Sequence, residues 1–316
     1  MKSDLEHLRA KMEIEPEEVT SELEEFLRRS VEELERDGVV LGLSGGLDSS
    51  VVAALCARAV GPEKVLALML PERDSERTHY EDALEVARWL GIRAEKVDIT
   101  PVLGKLGIYR LWPLGSIVPK GLKAKLVRKA HRLYEEKVGE TPFSKALLGV
   151  REEDFGTVLR RANAYYRAKH RIRMVVLYLR AERENLLVVG SANRTEYRLG
   201  FFVKHGCDHA ADAMPLLGLY KTQVRTLGRY LGVPERIIEK PPSPDVLPGI
   251  VDEEALGIPY EKLDLVLSAL EEGWDGKRTA EALGLEEGDV EKVKLMSERS
   301  EHMRRVLTPH GREDGP

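Results

Sequence analysis

Seven consecutive residues, Ser44-Gly45-Gly46-Leu47-Asp48-Ser49-Ser50, carry the sharpest chemical signal in this 316-residue chain. They follow a short apolar run and open an amphipathic one, so they stand where a strand ends and a helix begins. A helix N-terminus offers free backbone N–H groups and a partial positive charge, glycines let the backbone approach a ligand closely, and serine hydroxyls add donors. Such a loop suits a phosphate. The lysine of a Walker A loop is absent, and so is the GxGxxG spacing of a dinucleotide fingerprint, which points to a different phosphate chemistry. The bland alternative is a Gly-Ser turn; the strand, the helix and the acidic residue at one place weigh against it.

The elements that position this loop follow from hydrophobic spacing. Residues 18–37 are apolar at helical intervals, Gly38 ends that helix, and residues 39–43 form a short buried strand. A helix over about 48–60, a strand over 65–70, a helix over 79–90 and a strand over 94–99 come next. Strands alternating with helices imply βαβ units and a parallel sheet covered on both faces. The fold expected is α/β, doubly wound, mostly parallel and Rossmann-like. Residues 166–183 read as a helix, 186–190 as a buried strand, and 221–231 as a helix closed by Gly232 and Pro234.

Two stretches break the rhythm. Residues 104–159 are rich in Lys and Arg and read as a basic loop and helix inserted into the α/β domain, which spans 1–265. Residues 266–316 read as a C-terminal helical appendage and tail.

The composition narrows the function classes. With 42% hydrophobic and 33% charged residues the chain can bury a sizeable core, and a formal charge of −5 gives no overall footprint for nucleic acid. Two cysteines, Cys56 and Cys207, form neither a disulfide framework nor a zinc knuckle, which fits a reducing compartment. The N-terminus is charged throughout and no run approaches the roughly 18 apolar residues of a membrane span, so a cytoplasmic location is expected.

The loop SGGxDS resembles the pyrophosphate loop of enzymes that cleave ATP between its α and β phosphates. Three further segments are similar to the ammonia-dependent NAD synthase family in particular. They are Ala168-Lys169-His170-Arg171-Ile172-Arg173-Met174; Gly190-Ser191-Ala192-Asn193-Arg194-Thr195-Glu196 with Gly200 to Lys204 after it; and Lys240-Pro241-Pro242-Ser243-Pro244-Asp245 with Asp252-Glu253-Glu254-Ala255-Leu256-Gly257. Together with Ser300-Glu301-His302 the resemblance runs from about residue 18 to 310, leaving 104–159 unmatched.

The resemblance implies roles position by position. Ser44, Gly45, Gly46, Asp48, Ser49, Ser50, Ser191, Lys221 and Ser243 correspond to ATP contacts, and Asp48 and Glu196 to the Mg2+ carboxylates. Two carboxylates are a sensible set for Mg2+, which keeps several waters and bridges phosphate oxygens. Asp48, Glu196 and Lys221 would then serve catalysis, since attack on the α-phosphorus loads negative charge onto departing pyrophosphate. Arg171, Lys204, Asp212 and His302 correspond to contacts with deamido-NAD. The implied reaction adenylates the nicotinate carboxylate and gives the acyl group to ammonia, used free or delivered by a separate glutaminase; a homodimer is implied as well. On charge pattern alone, Arg171 reads as an exposed helix charge and Lys221 as an ordinary helix-opening lysine.

The acceptor end departs from the family pattern. Where KxGDGxxD is usual, Lys204-His205-Gly206-Cys207-Asp208-His209-Ala210-Ala211-Asp212 is one residue longer. Cys207 and His209 beside acids invite a metal or nucleophile reading, yet one Cys among neighbouring His residues lacks a partner cluster, so packing of a substrate loop is the favoured expectation. Met303 follows His302 where Lys is usual, with Arg304 a stand-in on a different helical face. A related ligase acting on another carboxylic acid, a tRNA thiolation enzyme and a non-catalytic nucleotide-binding module are the competing readings.

Overall fold

The computed structural model describes residues 2–111, 128–129, 132–148, 156–242 and 251–305. Helices α1 (Lys2–Met12) and α2 (Pro16–Glu33) precede strand β1 (Gly38–Gly42). Helix α3 (Leu47–Val60), β2 (Val65–Met69), α4 (Arg77–Leu90) and β3 (Arg93–Lys96) continue the α/β alternation. A long helix, α5 (Gly156–Glu184), leads into β4 (Leu186–Val189), then α6 (Arg194–Leu199) and α7 (Lys221–Leu231). Helices α8 (Tyr260–Glu271), α9 (Gly276–Leu283) and α10 (Glu287–Arg299) form a C-terminal layer.

The four strands are parallel, in the order β3-β2-β1-β4. The expected doubly wound parallel sheet is therefore present. From β1 the chain steps outward to β2 and β3, then returns to place β4 on the other flank of β1. The C-terminal ends of β1 and β4 thus form the switch point at which open α/β sheets leave a crevice for ligands.

Both faces of the sheet are covered, which is why β1, β2 and β4 read as continuous apolar runs and not as alternating ones. Val39 and Leu41 pack with Leu27 of α2, Val51 and Leu55 of α3, and Leu227 of α7. Val40 faces the other way, onto Met174, Leu177 and Ala181 of α5. Strand β3 is shorter than the expected 94–99 because it lies at the sheet edge. Its Arg93 pairs with Glu95 and Glu184 there, and charge at an edge discourages further strand pairing. The chain still follows β2 a little further, Val97 N donating to Met69 O at 2.9 Å.

Helix α5 starts ten residues before the expected 166, its first turn taking the last four residues of the 104–159 stretch. The C-terminal layer has its own core, in which Tyr260, Leu263 and Val266 of α8 meet Leu199, Phe202 and Val293. The division expected at 265/266 lies inside α8. Among the described residues no helix is long and apolar enough to cross a membrane.

Candidate active site

The loop after β1 is shaped by Gly45 and fixed by its serines. Gly45 has φ +76°, and a Cβ there would lie 2.4 Å from His79 O and 2.8 Å from Asp82 Cβ, so α4 approaches too closely for any side chain. Ser44 Oγ and Ser49 Oγ lie 2.9 Å apart, Gly46 N donates to Ser44 Oγ at 3.2 Å, and Ser50 Oγ donates to Gly46 O at 2.7 Å. Ser44, Gly46, Asp48 and Ser49 line a cleft of about 260 Å3 at the switch point, while Ser50 is fully buried and serves the loop's own structure.

The end of β4 supplies the opposite wall. Asn193 caps α6, its Oδ1 accepting from Glu196 N at 3.0 Å, and its Nδ2 donates to Asp48 Oδ1 at 3.0 Å. Ser191 and Glu196 line the cleft, as does Lys221 from the first turn of α7. Lys221 Nζ donates to Asp48 Oδ2 and, at 3.2 Å, to Glu196 Oε1. Burial disfavours its ammonium, but Asp48, Glu196 and Asp252 outweigh that and hold it charged. Burial pushes the Glu196 carboxyl well above the usual carboxylate range, against the pull of Lys221, and the charges of Asp48 and Asp252 push the same way.

Three buried residues to which the sequence reading gives no role complete the site. Asp252 lines the cleft, accepts from Tyr260 OH at 3.0 Å and is pushed up to about 6 by burial; its Oδ1 is buried with no partner among the described residues. Tyr260 also sets its ring 5.4 Å from Lys221 Nζ. Asp264, pushed up to about 6 by burial, accepts from Thr195 Oγ1 at 2.6 Å and from Thr222 N and Oγ1 at 2.9 and 2.8 Å. Thr195 Oγ1 in turn accepts from Lys221 N at 2.9 Å. One carboxylate of the C-terminal layer thus fixes both the helix bearing Glu196 and the helix bearing Lys221. Asp252 lies in a segment that matches the family, without a role of its own, and Asp264 carries no local signal beyond lying in a helical sequence.

Asp48 and Glu196 meet the same ammonium, so their oxygens converge on one region of the cleft. An oxygen-only donor pair of this kind fits Mg2+, which takes one or two carboxylates and completes its shell with water and phosphate.

The four residues expected at the acceptor end lie elsewhere in this chain. Lys204 Nζ donates to His302 O at 2.8 Å and Arg305 O at 2.7 Å, and Arg171 Nε donates to Lys204 O at 3.3 Å. His302 is therefore beside the Lys204 ammonium and Arg171 beside the Lys204 backbone, while Asp212 is bound to Tyr178 OH and Val188 N at 2.9 Å each, against β4. None of the four lines the cleft; Arg171 borders a shallow surface depression with Arg160 and Arg167. Met303 is buried in the C-terminal layer, and Arg304 donates to the carbonyls of Tyr197 and Arg198. Ser243 lies outside the described residues.

Comparison with known proteins gives the same reading from a different direction. The family model described as NAD synthase matches residues 19–108 and 127–307, and its gap falls inside the 104–159 stretch. The NH(3)-dependent NAD(+) synthetase of Thermotoga maritima is 42% identical over 285 residues, 89% of this chain and 95% of that protein. That of Methanocaldococcus jannaschii is 36% identical over 293 residues, 93% of this chain and 96% of its own length. Among solved structures, NMN synthetase from Francisella tularensis has a TM-score of 0.67 and 28% identity, covering 94% of this chain and all of that one.

Proposed function

The chain belongs to the NAD synthase family, and on that premise we propose that it converts deamido-NAD, ammonia and ATP to NAD, AMP and pyrophosphate through residues 44–50, Asp48, Ser191, Glu196 and Lys221. The observation that carries the residue assignment is the meeting of Asp48, Glu196 and Lys221 at the β1/β4 switch point, beside a loop of backbone donors.

The chemistry follows from what each group can do. A carboxylate is a poor electrophile, so the nicotinate carboxylate attacks the α-phosphorus of ATP, expelling pyrophosphate; ammonia then attacks the acyl carbon and AMP leaves. Charge accumulates on the departing pyrophosphate, where the 44–50 loop and the Lys221 ammonium offer preorganised positive potential. Asp48 and Glu196 would hold Mg2+, which neutralises phosphate charge when bound. Apolar residues of the cleft lining, among them Leu43, Leu70, Tyr80 and Ile238, offer an adenine ring a surface to rest on. No side chain needs to act as a covalent nucleophile.

We place the enzyme in the cytoplasm as a homodimer that takes ammonia free or from a separate glutaminase. A homodimer gives Arg171, Lys204 and His302, which lie outside the cleft, a route to the acceptor from a shared face. Ser243 belongs to the ATP contacts and Asp212 to the acceptor contacts by their place in the family motifs.

The deciding assay incubates enzyme, MgATP and ammonium with deamido-NAD and with nicotinate mononucleotide in parallel, following NAD, AMP and pyrophosphate. Equimolar NAD, AMP and pyrophosphate, with 18O from the labelled carboxylate recovered in AMP, is expected. Pyrophosphate release without NAD formation overturns the acceptor and leaves the ATP half standing.

A further inference from the structure

The long loop after α6 brings Cys207 and Asp208 against a residue that the local motif does not contain. His170, on α5 and buried, has Nδ1 3.5 Å from Cys207 Sγ and 2.7 Å from Asp208 Oδ2, and Cys207 Sγ lies 3.3 Å from Asp208 Oδ1. All three side chains line the cleft. They form one nitrogen, one sulfur and one oxygen donor within 4.8 Å of one another. The partner cluster missing from the sequence of the loop is thus supplied from 37 residues away.

We propose that His170, Cys207 and Asp208 form a binding site for a borderline-soft divalent cation of the zinc class, distinct from the oxygen site for Mg2+. Tetrahedral zinc with ordinary bond lengths separates its ligand atoms by roughly 3.3–3.6 Å. The two contacts to Cys207, from His170 Nδ1 at 3.5 Å and Asp208 Oδ1 at 3.3 Å, already match, while the other carboxylate oxygen, Oδ2, holds His170 Nδ1 at 2.7 Å in a hydrogen bond that must open to admit the ion. His170 Nε2 is buried with no partner among the described residues, so the ring makes its polar contacts through Nδ1, the nitrogen turned to the cluster. One thiolate, one carboxylate and one neutral imidazole balance a dipositive ion. Softness decides the choice of metal: a thiolate and an imidazole favour zinc, whereas Mg2+ prefers oxygen.

Three protein ligands leave a fourth position, and the cleft provides the space for it. Backbone contact already holds the loop to α5, Cys207 N donating to His170 O at 3.2 Å. Metal would add a side-chain crosslink at the same place. Burial and the Asp208 charge keep the Cys207 thiol well above its ordinary range, so binding releases its proton.

Cobalt(II) is the probe, added to metal-depleted protein in the presence of excess Mg2+, which occupies the oxygen site. One equivalent per chain is expected to give a near-ultraviolet thiolate-to-cobalt band and intense tetrahedral visible bands, displaced by Zn2+. Cys207→Ser should abolish the near-ultraviolet band, and Cys56→Ser should keep it. Asp208→Asn, which retains the thiol, and His170→Gln should each weaken binding at least about 10-fold. Only weak octahedral bands, or a thiolate band that survives in Cys207→Ser, overturns the proposal. This readout is independent of NAD formation.

Discussion

Asn193 Nδ2 donates to Asp48 Oδ1 at 3.0 Å, across 145 residues of sequence, joining the end of β4 to the loop after β1. Because Asn193 Oδ1 also accepts from Glu196 N, one buried amide sets the direction of one carboxylate and caps the helix that carries the other.

Asn193→Ala removes both functions. Loss of the cap and of the bond to Asp48 should cost about 1–2 kcal/mol of stability. Pyrophosphate release should slow about 10- to 100-fold as Asp48 loses its orientation. Denaturant unfolding and single-turnover kinetics measure the two effects, and a wild-type turnover rate would show that Asn193 does not position Asp48.

With Glu196 as a proposed Mg2+ ligand, its raised carboxyl should make metal binding pH-dependent in a definite direction. Its acid form is a poor ligand, so Mg2+ affinity should fall, as pH decreases, at a higher pH than an ordinary carboxylate would dictate. Asp48 and Asp252 push the carboxyl upward and Lys221 pulls it down. Asp252→Asn removes one upward push, so the midpoint should move to lower pH. Calorimetric titration with Mg2+ between pH 5 and pH 9 tests this, and an unmoved or rising midpoint contradicts it.

Gly45→Ala places a methyl group within 3 Å of the α4 backbone at a left-handed φ. A destabilisation of about 2 kcal/mol or more is expected. Since the displaced segment carries the loop donors, the KM for ATP should rise too. Thermal unfolding and steady-state kinetics report these separately.

Thr195→Val keeps the shape of a buried side chain but deletes the hydroxyl between Asp264 and Lys221 N. The orphaned groups should cost about 1–3 kcal/mol. Thr195→Ser, which restores the hydroxyl, should recover most of the turnover that valine loses. A valine variant with wild-type stability and rate would deny the hydroxyl its place in the network.

The parts of this structure legible in sequence are those whose physics is local. A strand, two glycines and a capping acidic turn announce residues 44–50, and the helix Lys221–Leu231 is bounded as its spacing and Gly232 predict. Asp252 and Asp264 were not legible because their importance comes from burial beside Lys221, a property of the assembled layers. The start of helix α5 is not legible because residues 156–165, GTVLRRANAY, open on a glycine and two β-branched residues with no capping residue directly before them. The cluster around Cys207 is not legible in the loop's own sequence because His170 lies on another element. Charge alone likewise gives no way to know that the Lys204 ammonium rests on two carbonyls at the C-terminal turn.

The Asp264 carboxylate, bonded to Thr195 and Thr222, has a consequence for how the chain can be divided. A fragment ending before Tyr260 keeps every strand and the whole 44–50 loop, yet it loses the acceptor that fixes the first turns of α6 and α7. Such a fragment would retain the sheet while its two ion-pairing helices splay, leaving a nucleotide cradle with no fixed electrostatic wall. The C-terminal helices would in that sense support the proposed catalytic site, although none of α8, α9 and α10 lines the cleft.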